Sequence, residues 1–149
     1  AYVQHKQPMY KKSIVNKYTV EGRKEIHREL QQVNPYILLY LMRNFIPNRS
    51  IEYNDNRISV YVAQKGKCAV TKDDLKIGEM HCHHIKPIKY GGSDKYNNLI
   101  FVTQTVHKLI HSENKETINY YLSKIKIDNE ILKKINYLRE QAKLNPIIL

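Results

Sequence analysis

Cysteine is scarce in this chain, which has two and no pair spaced Cys-x-x-Cys. That absence excludes a zinc ribbon with four cysteine ligands. Cys68 and Cys82 are fourteen residues apart, and because nothing in the sequence indicates secretion, we expect free thiols rather than a disulfide. We interpret both as small, buried, apolar side chains.

Long apolar stretches are also missing. No run approaches the roughly 20 residues that a membrane-spanning helix needs. The N-terminus lacks the charged segment followed by an apolar one that marks a secretory signal. We therefore expect a protein of the cytoplasm or of an organelle interior, not secreted and without a membrane partner. The first residue is Ala, so the chain is either free-standing or a fragment of something longer.

Acidic residues are few relative to basic ones. Lys and Arg number 25 against 14 Asp and Glu, which gives a net charge of +11. The excess is spread along the chain, because residues 1–64 carry ten basic and five acidic residues, and residues 65–149 carry fifteen and nine. A folded domain with this balance attracts polyanions, of which nucleic acid is the commonest. The alternative is a basic surface that serves solubility alone.

Hydrophobic periodicity predicts a mostly helical chain with a small β element. An extended basic arm is expected over residues 1–18. Helices are predicted at 20–33, 34–45, 50–64, 104–112, 113–125 and 128–144. Strands are predicted at 67–70 and 79–84, paired with each other, and at 99–103. Asn34 followed by Pro35, Ser50 and Asp128 are the expected helix caps.

Five of the seven histidines lie between residues 81 and 111. His107 and His111 are four residues apart, so on a helix both rings leave the same face and can share one metal ion. A third ligand is expected from the adjacent pair His83 and His84. Strand alternation places His81 and His83 on one face and His84 on the other, unless the strand ends there. Pro87 suggests that the strand is ending, so we expect His84 to turn towards the site.

The segment HHIKPIKYGGSDKYNNLIFVTQTVHKLIH, residues 83–111, contains HH-x-x-P, a Gly-Gly loop, Asn-Leu and H-x-x-x-H in that order. In these motifs it resembles the HNH endonucleases, whose core is a hairpin, one helix and a metal between them. The resemblance implies an α+β fold, mostly helical, with a small ββα-metal core. It also implies an endonuclease that hydrolyses phosphodiester bonds in DNA with one divalent ion.

Residue roles follow from the positions that match the family pattern. The resemblance implies that His84 is the general base, that His83 is a metal ligand, and that His107 and His111 complete a three-ligand site. Asn98 matches the middle residue of the family name and is expected to pin the loop between the strands. A neutral imidazole can take the proton of an attacking water, and a divalent ion acts as a Lewis acid.

Further contacts are expected from basic side chains. Lys86, Lys89 and Lys108 lie in or beside the motif, and with Arg57 they are the expected nucleic-acid contacts.

His81 has no matching role and is interpreted as a strand residue beside the site. Histidine ligands favour zinc, nickel, cobalt or manganese, but phosphate and water can fill the remaining positions, so magnesium is also compatible. The adjacent Asn97 is the alternative to Asn98 as the family asparagine.

The resemblance extends to residues 18–27, 38–71 and 106–122, which are similar to the C-terminal region of group II intron-encoded reverse transcriptase/maturase proteins. The expected division is a basic arm at 1–18, a helical nucleic-acid-binding region at 19–65, the nuclease core at 66–112 and C-terminal helices packing on it at 113–149. The implied partners are DNA, intron RNA and a reverse-transcriptase part absent from this chain, and the implied role is nicking in the mobility of the intron, a mobile element. The alternatives are a nucleic-acid-binding module with a structural metal, and a restriction- or toxin-type nuclease.

Overall fold

The computed structural model of the chain describes residues 33–149. The arm predicted at 1–18 lies outside these residues, as does the helix predicted at 20–33 except for its last position. Within the described part the α-helices are α1 (Pro35–Arg43), α2 (Ile51–Ala63), α3 (Gln104–His111), α4 (Lys115–Leu122) and α5 (Asn129–Gln141). The strands are β1 (Met80–His84) and β2 (Leu99–Thr103), which form one antiparallel sheet. The predicted α+β class, mostly helical, is confirmed.

The helices begin where side chains cap them. The capping residues, each accepting a hydrogen bond from a backbone N–H of the first turn, are Asn34, Ser50, Thr103, Asn114 and Asp128. A cap satisfies one of the N–H groups that have no partner inside the helix. The predicted starts at Asn34, Ser50 and Asp128 are therefore confirmed. None of the helices described is long and apolar enough to cross a bilayer.

The strand pairing differs from the prediction. β1 pairs with β2, with His83 opposite Ile100, whereas residues 67–70 form no strand and contribute one isolated bridge from Lys67 to Asp74. The backbone N–H of Cys68 donates to the carbonyl of Asp73, so the chain reverses within this segment. Residues 67–70 lie beside β2, where the backbone N–H of Ala69 donates to the carbonyl of Phe101 at 3.0 Å.

β2 leads directly into α3, and the two share the centre of the core. Val102 of β2 and Val106, Leu109 and Ile110 of α3 are completely buried, together with Ile135 of α5. Close packing on the sheet and on α5 fixes the position of α3. Any side chain on the remaining face of α3 is therefore held at a defined distance from β1.

Arg139 of α5 fastens the C-terminal end of α3. Its Nη1 donates to the backbone carbonyls of Leu109 and Ser112, both at 2.7 Å, and its Nε donates to the carbonyl of Asn145 at 2.6 Å. Only 3% of Arg139 is exposed, and burial lowers the pKa of its guanidinium. The last carbonyls of a helix have no intrahelical partner, so these hydrogen bonds supply one.

Replacing Arg139 with Met should lower the free energy of unfolding by about 2–4 kcal/mol, because Met keeps the apolar stem but leaves buried carbonyls unpaired. Urea denaturation at pH 7 measures the change. Lys133→Met, at an exposed position of the same helix, is the matched control and should change stability by less than about 0.5 kcal/mol. Equal losses in the two variants would show that Arg139 does not fasten α3.

Candidate functional site

β1 directs alternate side chains to two different helices. On one face, the ring of His81 stacks on that of His107 with a centroid distance of 4.3 Å, and the ring of His83 lies 5.1 Å from that of His111. On the other face, the ring of His84 stacks at 5.4 Å on a tyrosine of α2. The strand includes His84, so alternation holds to its end, and the expectation that His84 turns towards the histidine cluster of α3 is wrong.

The cluster formed by His83, His107 and His111 brings its ligating nitrogens within 4.8 Å of one another. Nδ1 of His83 lies 3.4 Å from Nε2 of His111. Two nitrogens that each bind one ion at about 2.1 Å with a tetrahedral angle are about 3.4 Å apart. The three residues therefore fit a divalent metal ion.

The cluster is held in the form that binds metals. Burial, reinforced by the neighbouring histidines, lowers the pKa of His83 to about 3 and that of His107 to about 4. Burial and then the charge of Lys89 also lower the pKa of His111. Imidazole binds a metal in its neutral form. At pH 7 an ion therefore need not displace protons from these rings.

In the metal-free protein, burial of His83 makes stability fall as the pH falls below about 6.5. That value is typical of an unfolded histidine, and the folded pKa of about 3 lies below it. Between these values the unfolded chain binds a proton that the folded chain does not, so the contribution to stability is complete above pH 6.5 and is lost towards pH 3. Between pH 5.5 and 4.5 the slope from this one group is about 1.4 kcal/mol per pH unit.

Chemical denaturation with a chelator at pH 7.0, 5.5 and 4.5 measures this slope. In His83→Gln the group that titrates is gone, so the loss of stability between pH 5.5 and 4.5 should be smaller by about 1 kcal/mol than in the wild type. Identical pH dependence in the two proteins would contradict a buried, neutral ring at this position.

The cluster opens to solvent on one side. His83 is buried, His107 is half-buried and His111 is exposed. The exposed side chain of Lys89 is close enough to lower the pKa of His111, and that of Lys108 does the same to His107. A polyanion approaching the open side therefore meets positive charge beside the three rings.

The structure corrects the expectation that Arg57 contacts nucleic acid. Only 4% of it is exposed, and its Nη2 donates to the carbonyls of Leu41 and Asn44 at 3.1 and 2.5 Å. The side chain thus joins α2 to the end of α1, and burial lowers the pKa of its guanidinium. A contact between Arg57 and nucleic acid does not fit this position. Lys86, the remaining predicted contact, is exposed.

His84 belongs to a separate polar network that sequence reasoning missed. Its Nε2 lies 2.8 Å from Oδ1 of Asp94, and Nη2 of Arg49 lies 3.1 Å from the same oxygen. The hydroxyl of Ser50 donates to the other oxygen, Oδ2, at 2.7 Å. Burial raises the pKa of Asp94, but the hydrogen bonds from His84 and Ser50 and the charge of Arg49 outweigh it and hold that pKa below its ordinary value.

The loop between the strands is fixed by Asn98. Its Oδ1 accepts from the backbone N–H of Lys86 at 2.9 Å, and its Nδ2 donates to the carbonyls of Lys86 and Ser93 at 3.1 and 2.7 Å. Gly92 allows the close approach inside this loop, because a Cβ there would lie 1.7 Å from the carbonyl oxygen of Lys86. These contacts set the position of the residue that follows Ser93, which is Asp94.

Comparison with known families matches residues 68–113 to the model of the HNH endonucleases. The match covers less than half of the chain, yet it contains both strands, α3, the three clustered histidines and His84. No curated protein and no solved structure gives a match. The resemblance to HNH endonucleases is thus confirmed over this segment, and it indicates a nuclease that works with a divalent metal ion.

Proposed function

We propose that this chain is a metal-dependent endonuclease that hydrolyses phosphodiester bonds in DNA. The observation that carries the proposal is the convergence of His83, His107 and His111 from two elements, inside the segment that matches the HNH endonucleases. The side chain of His84 follows directly in β1, so a base and a metal site lie next to each other along one strand.

The proposed roles divide between the two faces of β1. His83, His107 and His111 would hold one divalent ion, which when bound supplies Lewis-acid charge for the phosphoryl oxygens and the leaving oxygen. His84 takes a proton from the attacking water as its oxygen bonds to phosphorus and the bond to the 3′ oxygen breaks. Asn98 keeps the loop between the strands in the conformation that positions the base.

A nucleic acid is the proposed substrate because of charge, and DNA is proposed in particular because the resemblance to the HNH endonucleases implies it. The net charge of +11 favours a polyanion, and Lys86, Lys89 and Lys108 are exposed in or beside the matched segment. Zinc, manganese, nickel and magnesium are the candidate ions. Nitrogen ligands favour the first three, whereas the open side of the cluster leaves room for the oxygen ligands that magnesium prefers.

A finer proposal gives the nuclease a role in the mobility of a group II intron. It would nick the DNA together with a reverse-transcriptase partner, and residues 19–65, predicted to be helical, would bind nucleic acid. Its support is the resemblance of residues 18–27, 38–71 and 106–122 to the intron-encoded proteins. A binding module with a purely structural metal is less well supported, because a structural site usually has four protein ligands and the described cluster has three.

Incubation of purified protein with supercoiled plasmid, linear duplex DNA and a structured RNA, each with manganese, magnesium, zinc or nickel, tests the proposal. Cleavage of DNA that a chelator abolishes and that added metal restores is the expected result. Intact DNA with every metal would contradict the proposed activity. Cleavage of RNA alone would contradict the proposed substrate.

A further inference from the structure

Asp94 gathers side chains from three parts of the chain around one carboxylate. His84 comes from β1, Arg49 precedes α2, and Ser50 caps that helix, yet all three have polar atoms within 3.1 Å of the Asp94 oxygens. The side chains of Arg49, His84 and Asp94 are 32%, 15% and 18% exposed, so the network is partly shielded from water. Arg49 and Ser50 lie outside the segment that matches the family model.

The backbone of Asp94 is held from both sides. The side-chain amide of Asn56, in α2, donates to the carbonyl of Asp94 at 2.9 Å. Asn98 donates to the carbonyl of the preceding residue, Ser93, at 2.7 Å. The carboxylate therefore has a fixed position between α2 and β1 and is not the end of a freely moving loop.

The contacts decide which nitrogen of His84 carries its hydrogen. A carboxylate only accepts hydrogen bonds, so the 2.8 Å contact is favourable when Nε2 of His84 carries a hydrogen. Arg49 also lies 3.0 Å from this Nε2 and could donate to it in the other tautomer. That tautomer would place a nitrogen lone pair against the Asp94 oxygen, whereas the Nε2–H form lets His84 and Arg49 both donate to Asp94.

We propose that Asp94 is a positioning residue that holds His84 as the Nε2–H tautomer, with Nδ1 as the atom that accepts the proton from water. The inference rests on the proposed function, since it assigns the acceptor atom of the same base. The ring is fixed further by its stack on Tyr53, whose plane is inclined by 15° to that of His84. Asp94 thus fixes both the orientation of the His84 ring and the nitrogen that carries its hydrogen.

Asp94→Asn tests the inference with little change of shape. An amide can donate through its nitrogen, so it can stabilise the opposite tautomer of His84, and in a comparable histidine–carboxylate pair this exchange is very costly. We expect kcat to fall by about 10²-fold or more with KM changed by less than about threefold. Asp74→Asn, the same exchange at an exposed residue paired with Lys67, is the control and should cleave like the wild type.

NMR of the full chain labelled with ¹⁵N-histidine identifies the tautomer without any cleavage. We expect His84 to show a protonated Nε2 and an unprotonated Nδ1 in the wild type, and a changed pattern in Asp94→Asn. A protonated Nδ1 in the wild type overturns the inference. So does faster cleavage by Asp94→Asn, which would mean that the carboxylate competes with the substrate phosphate for Arg49 and His84.

The two measurements separate this inference from the proposed function. A wild-type protein that shows the Nε2–H form of His84, lost in Asp94→Asn, but that cleaves no nucleic acid would refute the nuclease and leave the hydrogen-bond assignment standing. A wild-type protein that cleaves DNA, with Asp94→Asn equally active, would support the nuclease and refute Asp94 as a positioning residue.

Discussion

His84→Ala should cleave DNA about 10²–10⁴-fold more slowly than the wild type at saturating substrate and metal, because removal of a positioned general base costs that much. The metal affinity should stay within about threefold of the wild type, since the His84 ring lies on the face of β1 away from the three-histidine cluster. Single-turnover cleavage of a supercoiled plasmid, with metal titration of the same preparations, measures both quantities.

Lys126→Ala is a suitable control for this experiment, because Lys126 is exposed and lies outside the matched segment. Its rate should equal that of the wild type within about twofold. A His84→Ala protein that cleaves at the wild-type rate contradicts the role of His84 as base. A variant that loses its metal as well would show that His84 belongs to the metal site and not to a separate face.

His107→Ala should weaken metal binding by more than about 100-fold, because loss of a direct ligand exceeds the 10- to 100-fold cost of losing an outer hydrogen bond to one. Cleavage should vanish at the metal concentration that saturates the wild type and recover in part at much higher concentration. Calorimetric titration with zinc or manganese, in parallel with the cleavage assay, reads both effects.

His81→Ala provides the comparison. The His81 ring stacks on His107 at 4.3 Å but lies outside the three-residue cluster, so its removal should weaken binding by less than about tenfold. Equal losses in His81→Ala and His107→Ala would mean that His81 is itself a ligand. Unchanged binding in His107→Ala would remove the cluster as the metal site.

The sequence predicted the parts of the site that follow from local periodicity. His107 and His111 share a face because four residues make about one helical turn, and His83 lies opposite them because a strand alternates. The helices that begin after Asn34, Ser50 and Asp128 were equally predictable, since each capping side chain is read directly from the sequence.

The missed features all depend on contacts between distant parts of the chain. Residues 67–70 have the composition of a strand that pairs with β1, yet the backbone N–H of Ala69 donates to the carbonyl of Phe101 in β2. Arg57 looks like a surface cation, but carbonyl groups at the end of α1 accept its hydrogen bonds in the interior. Asp94 and Arg49 are 45 residues apart, so no periodic pattern relates them.

Anomalous scattering from a crystal of the full chain grown with manganese or zinc tests the central claim most directly. We predict one peak at about 2.0–2.2 Å from a ring nitrogen of each of His83, His107 and His111, with the remaining positions open to water or phosphate. A peak elsewhere, or an ion closed off by a fourth protein ligand, would contradict a catalytic metal site at these histidines.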